Sequence, residues 1–263
     1  MFCQRTFEIQ STRAQTPPAL EIGSNAQGIR LYIANCFHHP KSKMPLQPLR
    51  IVILLTLLMV LACLTAQAQD DEAPDWQPLL VKHFSQSDLD AASKGLDLAT
   101  YMTEKERNVL AYTNLARLFP LQFDAFYLDW LENVEDDEGW EKYAANDHFY
   151  TTLHKDLQKM KPLAPLRPSK KYFVAAEQWA KYSGKNGLLG HNRPWYMRNT
   201  QAECCAYNPL DDPMTLVLDL LIDEKVKSLG HRKILLGKWL DCGASIQPHK
   251  TYGWCLVMDF GGE

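Results

Sequence analysis

Two histidines and several carboxylates lie close together in the last third of this chain of 263 residues. His191 follows a glycine, Glu203 precedes two cysteines, Glu224 lies in Ile-Asp-Glu-Lys, and His231 again follows a glycine. Imidazole and carboxylate groups can together bind a divalent metal or transfer protons. We therefore predict that these side chains converge on one site. No other region of the sequence has a comparable group of residues that could bind a metal or transfer protons.

Caps and periodicity predict the elements that must position these residues. Thr103 and Glu106 form a capping box before an apolar run with helical spacing, which predicts a helix that ends at Phe119-Pro120. A second helix is expected over residues 169–183 and a third from Asp212 to Gly230. Short strands are expected over residues 200–206, 242–247 and 253–260. Helices with a small terminal antiparallel sheet indicate an α+β fold.

Two segments outside this pattern bear on the domain boundaries. Residues 121–161 combine many aromatic residues with an acidic cluster, and we interpret them as an amphipathic helical insertion. Residues 69–100 are acidic and mixed in character, which is typical of a linker with one short helix. The folded domain is therefore predicted to span residues 101–263.

A short apolar run precedes the linker. Residues 51–66 carry no charge, follow Arg50 and end at a small-residue site, which predicts a signal peptide over residues 44–68 with cleavage after Ala68. The run is shorter than the roughly 20 apolar residues that a membrane-spanning helix needs. We therefore expect residues 1–43 to be a non-native or over-extended N-terminus, and an unusually long leader is the alternative. An alternative is a lipid anchor at Cys63, because the preceding residues loosely resemble a lipoprotein box.

The net charge excludes one class of partner. Residues 1–69 contain six Lys and Arg and two Asp and Glu, so the remainder holds 28 − 6 = 22 basic and 31 − 2 = 29 acidic residues. The predicted mature chain therefore has a formal charge of 22 − 29 = −7. Because an acidic protein repels phosphate backbones, we expect no nucleic-acid partner.

The number of cysteines in the predicted mature chain is consistent with export. Four of them follow the leader, namely Cys204, Cys205, Cys242 and Cys255. An even number in an oxidising compartment predicts disulfides, although four cysteines allow three pairings. Cys242 and Cys255 flank a turn and could face each other across a hairpin. Cys204 and Cys205 would point to opposite faces of a strand.

The order of the landmarks resembles a known family. A helix with Asn114 and Arg117 comes first, then Gly-His-Asn at residues 190–192, a short strand with Glu203, Ile-Asp-Glu-Lys at residues 222–225, and Gly-His-Arg-Lys-Ile-Leu at residues 230–235. This order is similar to that of the CAP superfamily of cysteine-rich secretory, antigen 5 and pathogenesis-related proteins, whose domain is also called SCP. The bacterial members are the most similar, and the resemblance covers roughly residues 101–263.

The resemblance implies a three-layer α-β-α sandwich and a cleft with two histidines and two acidic residues, which in some members bind zinc. The implied metal ligands are His191, His231, Glu203 and Glu224. Asp223 is an alternative to Glu224, since neighbouring helical residues point about 100° apart and only one of them can face the cleft. One departure is that the family's Gly-Glu-Asn reads Ala-Glu-Cys here.

These observations predict a secreted, periplasmic or cell-envelope protein that binds a small apolar, lipid, glycan or peptide ligand without catalysis. Zinc or another divalent cation is the expected cofactor, and no nucleotide or organic cofactor is expected. The alternative is a metal-dependent hydrolase, directed at peptides or peptidoglycan, in which Glu203 or Glu224 activates a water. The sequence contains neither Gly-x-Ser-x-Gly nor His-Glu-x-x-His, which favours binding.

Overall fold

The structure is a computed structural model that describes residues 73–133, 147–197 and 200–262. The predicted leader, the possible anchor at Cys63 and the start of the predicted linker lie outside these residues. The helices are α1 (Gln77–His83), α2 (Gln86–Ser93), α3 (Glu104–Leu118), α4 (Pro120–Asn133), α5 (His148–Lys159), α6 (Lys170–Asn186), α7 (Pro213–Ile222) and α8 (Gly230–Leu235). The strands are β1 (Arg167–Pro168), β2 (Ala202–Asn208), β3 (Asp241–His249) and β4 (Gly253–Gly261).

The segment that precedes residue 101 is part of the folded domain. Its residues 73–100 form α1, α2 and a short 3-10 helix, and Trp76, Leu80 and Phe84 are buried in the main core. The indole of Trp76 also donates a hydrogen bond of 2.8 Å to Asp212. The linker prediction is therefore wrong for these residues. The segment is mostly polar, but its few apolar side chains lie on the helix faces that pack into the core.

Helix α3 forms as its capping box predicts. The Thr103 hydroxyl accepts from the Glu106 amide while the Glu106 carboxylate accepts from the Thr103 amide, and the helix ends at Leu118. Arg117 near its end is buried and donates to the carbonyl groups of Leu235, Gly237 and Trp239. This side chain therefore joins α3 to the segment that leads into β3.

The described parts of the predicted insertion are helical, which confirms that part of the prediction. They are not peripheral, however. Phe123, Phe126 and Tyr127 on α4 are fully buried in the main core. Residues 134–146, which include most of the acidic cluster, lie outside the described part of the chain. The aromatic residues therefore belong to the core of the domain.

The sheet has four strands in the order β1-β3-β4-β2. Strand β4 lies in the centre and pairs antiparallel with both β2 and β3, whereas the two-residue β1 pairs parallel with β3. Helix α6 packs on one face, and α3, α7 and α8 pack against the other side of the sheet. The chain therefore has an α+β fold in three layers, as predicted, although β1 makes the sheet mixed.

Glycine allows α6 to approach the sheet closely. A Cβ atom at Gly243 of β3 would overlap the backbone of Tyr172 and Phe173 on α6. Helix α6 itself begins after Ser169 and ends at Gly187, which has a left-handed φ of 65°. None of the helices in the described ranges is long and apolar enough to cross a membrane.

The four cysteines of the described chain are free, buried thiols, so the disulfide prediction is not met. Cys242 lies opposite Phe260 and Cys255 opposite Gln247, so the two do not face each other across the hairpin. Cys204 and Cys242 lie on strands that flank β4, about 9–10 Å apart at the usual strand spacing. A disulfide needs about 4.4–6.8 Å between Cα atoms. Cys204 and Cys205 lie in separate clusters on the two faces, as predicted.

Candidate metal site

The loop that carries His191 is fixed on both sides of the preceding glycine. Gly190 has a left-handed φ of 72°, and its amide donates a hydrogen bond of 2.8 Å to the Tyr207 hydroxyl. Its carbonyl accepts a hydrogen bond of 3.1 Å from the indole of Trp179. Because Trp179 lies on α6 and Tyr207 on β2, the loop is held between a helix and the sheet. His191 therefore starts from a well-defined backbone position.

His191 and Glu203 form the first of two histidine–carboxylate pairs. The Nδ1 atom of His191 lies 2.7 Å from Oε1 of Glu203 on β2. The histidine side chain is 53% exposed, whereas that of Glu203 is only 9% exposed. The carboxylate therefore lies beneath the imidazole and orients the ring, whose outer edge remains open to solvent.

Arg193, which the sequence analysis missed, neutralises a buried pair of carboxylates. Glu203 on β2 and Asp259 on β4 are direct cross-strand partners. Like charges in this position repel, and the Arg193 guanidinium contacts Glu203 and forms an ion pair of 2.5 Å with Asp259. An acidic residue in the otherwise apolar strand β4 is the sequence signal that could have indicated a buried cation, because a buried charge needs a partner.

Asp223 and His231 form the second pair. Asp223 Oδ1 lies 2.7 Å from Nδ1 of His231, and Asp223 Oδ2 accepts a hydrogen bond of 2.9 Å from the His231 amide. Arg232 is buried and donates to the carbonyl groups of Leu221 and Ile222 at the end of α7. These bonds fix the position of His231 relative to the end of α7.

The third helix is shorter than predicted, and this changes the choice of carboxylate. Helix α7 ends at Ile222 because Asp223 adopts a left-handed φ of 58°. Lys225 and Leu229 in the following turn also have positive φ values. Asp223 and Glu224 are therefore not neighbours on a helix. Asp223 is the residue that binds His231, whereas Glu224 is buried and forms an ion pair of 3.2 Å with Lys225.

The two imidazoles face each other. Their ring centroids are 5.8 Å apart and their planes are inclined by 46°. Each ring is held by a carboxylate at Nδ1. Among the described residues, no hydrogen bond uses the Nε2 atom of either ring. The structure thus brings together His191, Glu203 and His231, and Asp223, the predicted alternative to Glu224, binds His231.

Cys205 was predicted only as a disulfide candidate, but it belongs to a group that could hold a metal ion. The possible ligand atoms of His191, Glu203 and Cys205 all lie within 4.8 Å of one another. The Cys205 sulfur is 3.8 Å from Nδ1 of His191. An imidazole nitrogen, a carboxylate oxygen and a thiol sulfur are the donor types that zinc and similar divalent ions accept in proteins. The donor set therefore fits a metal of this class.

Burial controls the protonation of these groups. Partial burial lowers the pKa of His191 and the Arg193 guanidinium lowers it further, while Asp259 acts in the opposite direction. The imidazole is therefore neutral at pH 7, the form that can bind a metal. Burial raises the pKa of Asp259 to about 6, against the opposing effect of Arg193. Burial also raises the pKa of the Cys205 thiol.

Two comparisons of the sequence with known proteins gave no match. No protein-family model matches the sequence. A search of curated proteins also found no match. The similarity to the CAP superfamily therefore remains a prediction that rests on the order of the motifs.

Proposed function

We propose that this protein is an exported CAP-type module whose cleft binds a divalent metal ion together with a small ligand. The observation that carries the proposal is that His191, Glu203 and His231 lie close together. The two imidazole rings are 5.8 Å apart, and the His191 side chain is exposed to solvent. These residues come from a loop, a strand and a short helix. Their convergence at one place supports a common role.

The second argument for a metal is the way in which the histidines are oriented. A metal-binding histidine usually donates its other ring N–H to a carboxylate or carbonyl group, which fixes the ring and its tautomer. Glu203 and Asp223 accept from one nitrogen of each ring in this way. His154 has a similar partner in Asp124, so the pairing supports a metal only together with the close approach of the two rings.

Several contacts favour binding over hydrolysis. Glu203, one of the two expected bases of a hydrolase, already contacts His191 and Arg193. These contacts occupy both of its carboxylate oxygens, so neither is free to activate a water. Without a bound metal, burial raises the pKa of the Cys205 thiol and keeps it protonated, which opposes its use as a nucleophile. The hydrolase alternative therefore has less support.

Exposed aromatic side chains that follow His191 in the sequence support a ligand beside the paired histidines. Trp195 and Tyr196 follow His191 in the same loop and are 82% and 63% exposed. Their rings are 5.9 Å apart in an edge-to-face arrangement. Aromatic faces of this kind can stack on sugar rings or cover apolar groups. A glycan or a small apolar molecule is therefore the ligand class we favour.

Calorimetric titration of the full chain with zinc tests the metal site. We expect stoichiometric binding by the wild type and none by the His191→Ala variant. His154→Ala is the matched control, because His154 also binds a buried carboxylate, Asp124, at 2.8 Å but belongs to α5. Absence of binding by the wild type, or equal binding by His191→Ala, would refute the proposal.

A further inference from the structure

We propose that Cys205 is a thiolate ligand of the metal, so that the ion binds to His191, Glu203 and Cys205. The inference rests on the proposed metal-binding function and specifies its ligands. It differs from an ion that is held between the two histidines, in which Glu203 only orients His191. The two arrangements use opposite nitrogens of the His191 ring, and experiment can therefore distinguish them.

The alternation of strand β2 places the donors on one face. Glu203 and Cys205 are two residues apart, so their side chains point to the same side of the sheet, and Cys204 points to the other. The loop with His191 covers the same face. The Cys205 sulfur is 3.8 Å from Nδ1 of His191. Zinc bonds of about 2.3 Å to sulfur and 2.0 Å to nitrogen in a tetrahedron put these atoms about 3.5 Å apart.

Little movement is therefore needed for the sulfur and nitrogen. The hydrogen bond of 2.7 Å between Nδ1 of His191 and Oε1 of Glu203 must open slightly, because the metal takes the place of the shared proton. The ring then carries its proton on Nε2. The Cys205 S–H bond breaks, its electron pair forms the bond to the metal, and the proton leaves to solvent past the exposed edge of His191.

The local charges suit a divalent ion. With Asp259 ionised, Glu203 and Asp259 supply two negative charges and Arg193 one positive charge, which leaves a sum of −1. A divalent ion and the loss of the thiol proton change this sum to −1 + 2 − 1 = 0. One oxygen of Asp259 has no hydrogen-bond partner among the described residues. The excess negative charge therefore lies beside the donors.

The thiol decides which metals the site accepts. Thiolate and imidazole favour zinc, cobalt and similar ions, whereas magnesium and calcium bind to oxygen ligands alone. We therefore expect the site to select a zinc-type ion over the magnesium and calcium that are abundant outside cells. Glu203 is the only oxygen donor in the group of three.

Cobalt(II) absorption spectroscopy of the full chain tests the inference. A thiolate ligand gives an intense near-ultraviolet charge-transfer band that nitrogen and oxygen ligands do not give. We expect this band in the wild type and in Cys204→Ser, the neighbouring buried thiol on the other face. Cys205→Ser should lose the band and bind cobalt at least about tenfold more weakly. Excess magnesium or calcium should leave the band unchanged.

The other outcomes separate this inference from the proposed function. Cobalt that binds without the band, with binding lost in His231→Ala, would overturn the thiolate and leave a metal between the histidines. No binding of cobalt or zinc would overturn both. If Cys205→Ser does not fold, X-ray absorption of the zinc-loaded wild type decides the question. A sulfur shell at about 2.3 Å supports the inference and its absence refutes it.

Discussion

At the residue scale, Arg193 holds the candidate site together. Its guanidinium is 2% exposed and lies between the carboxylates of Glu203 and Asp259. The two carboxylates are cross-strand partners, so without the cation they would repel each other in a region of low dielectric. Glu203 in turn orients His191. The arrangement of the site therefore depends on a side chain that does not need to contact a ligand.

Replacement of this cation should be costly. We expect Arg193→Met to lower the free energy of unfolding by about 3–5 kcal/mol, because it leaves two buried carboxylates without their partner. Arg167→Met is the control, since Arg167 is 66% exposed in its ion pair with Asp241 and should change stability by less than about 1 kcal/mol. Urea unfolding of both variants measures the difference.

A small effect of Arg193→Met would contradict this account of the site. Addition of Asp259→Asn to Arg193→Met should restore part of the lost stability, because it removes one of the two charges. If the second substitution only adds to the loss, the guanidinium does not act through the carboxylate pair.

Asp259 should make stability depend on pH with a defined sign. Its pKa is raised by burial from 3.8 to about 6, so the folded protein binds the proton more tightly than the unfolded chain. The resulting stabilisation is full below about pH 3.8 and is lost as the pH rises to about 6. The stability of the wild type relative to Asp259→Asn should therefore be greater at pH 4.5 than at pH 7.5, by about 2 kcal/mol.

Asp129 provides a control with the opposite sign. Hydrogen bonds from Lys82, and then from His83, hold its pKa below the ordinary value. Its contribution should therefore be present above that ordinary value and be lost as the pH falls. Thermal unfolding of wild type, Asp259→Asn and Asp129→Asn from pH 7.5 to well below the ordinary aspartate pKa of 3.8 measures both slopes, and equal signs would refute the assignment.

Residue types and spacing were enough to predict His191, Glu203 and His231. They were not enough for Arg193 or Cys205, because which side chains share one face of a sheet depends on the register of strands that are distant in sequence. The choice between Asp223 and Glu224 depended on the conformation of one residue. A left-handed φ at Asp223 is less common than one at glycine, so the sequence indicates Gly230 as the end of the helix.

At the element scale, local signals were reliable where a side chain caps a helix. Thr103 and Asp212 begin α3 and α7 as predicted, since their side chains satisfy free amide groups of the first turn. No capping residue or similar local pattern in the sequence predicts the close packing of α6 on the sheet. It depends on Gly243, where the backbone of α6 occupies the space that a side chain would need.

Gly243→Ala should therefore separate α6 from the sheet. We expect a loss of about 3 kcal/mol or more, because the added methyl group overlaps backbone that has no freedom to move aside. Gly230→Ala is the matched control, since its nearest neighbour at 3.3 Å is the flexible Ser228 hydroxyl. That variant should remain within about 0.5 kcal/mol of the wild type in chemical unfolding. Equal effects would show that the close approach is unimportant.

At the scale of the whole molecule, the folded domain begins earlier than the predicted boundary at residue 101. Helices α1 and α2 contribute buried side chains to the main core, which also contains residues of α3, α4 and α7. The sequence did not indicate this, because each short helix has few apolar residues and its polar surface resembles that of a linker. Their role becomes clear only in the folded structure, in which Trp76, Leu80 and Phe84 are buried in the main core.

A chain that begins at residue 73 should therefore fold cooperatively, whereas a chain that begins at residue 101 should not. It lacks Trp76, Leu80 and Phe84, and the burial of each contributes roughly 2 kcal/mol. We expect a cooperative thermal transition from the longer chain and a weak or absent one from the shorter chain. Circular dichroism measures both, and equal transition temperatures would contradict the boundary proposed for the domain.

The most direct test of the central claim is an anomalous difference map from crystals of the protein grown with one equivalent of zinc. We expect a single strong peak within about 2.0–2.3 Å of a ring nitrogen of His191, the bond lengths that zinc forms with protein ligands. Its distances to Cys205 and His231 would also identify the remaining ligands. A map with no peak in the cleft, or with zinc bound only at other surface histidines, would contradict the claim that this protein binds a metal there.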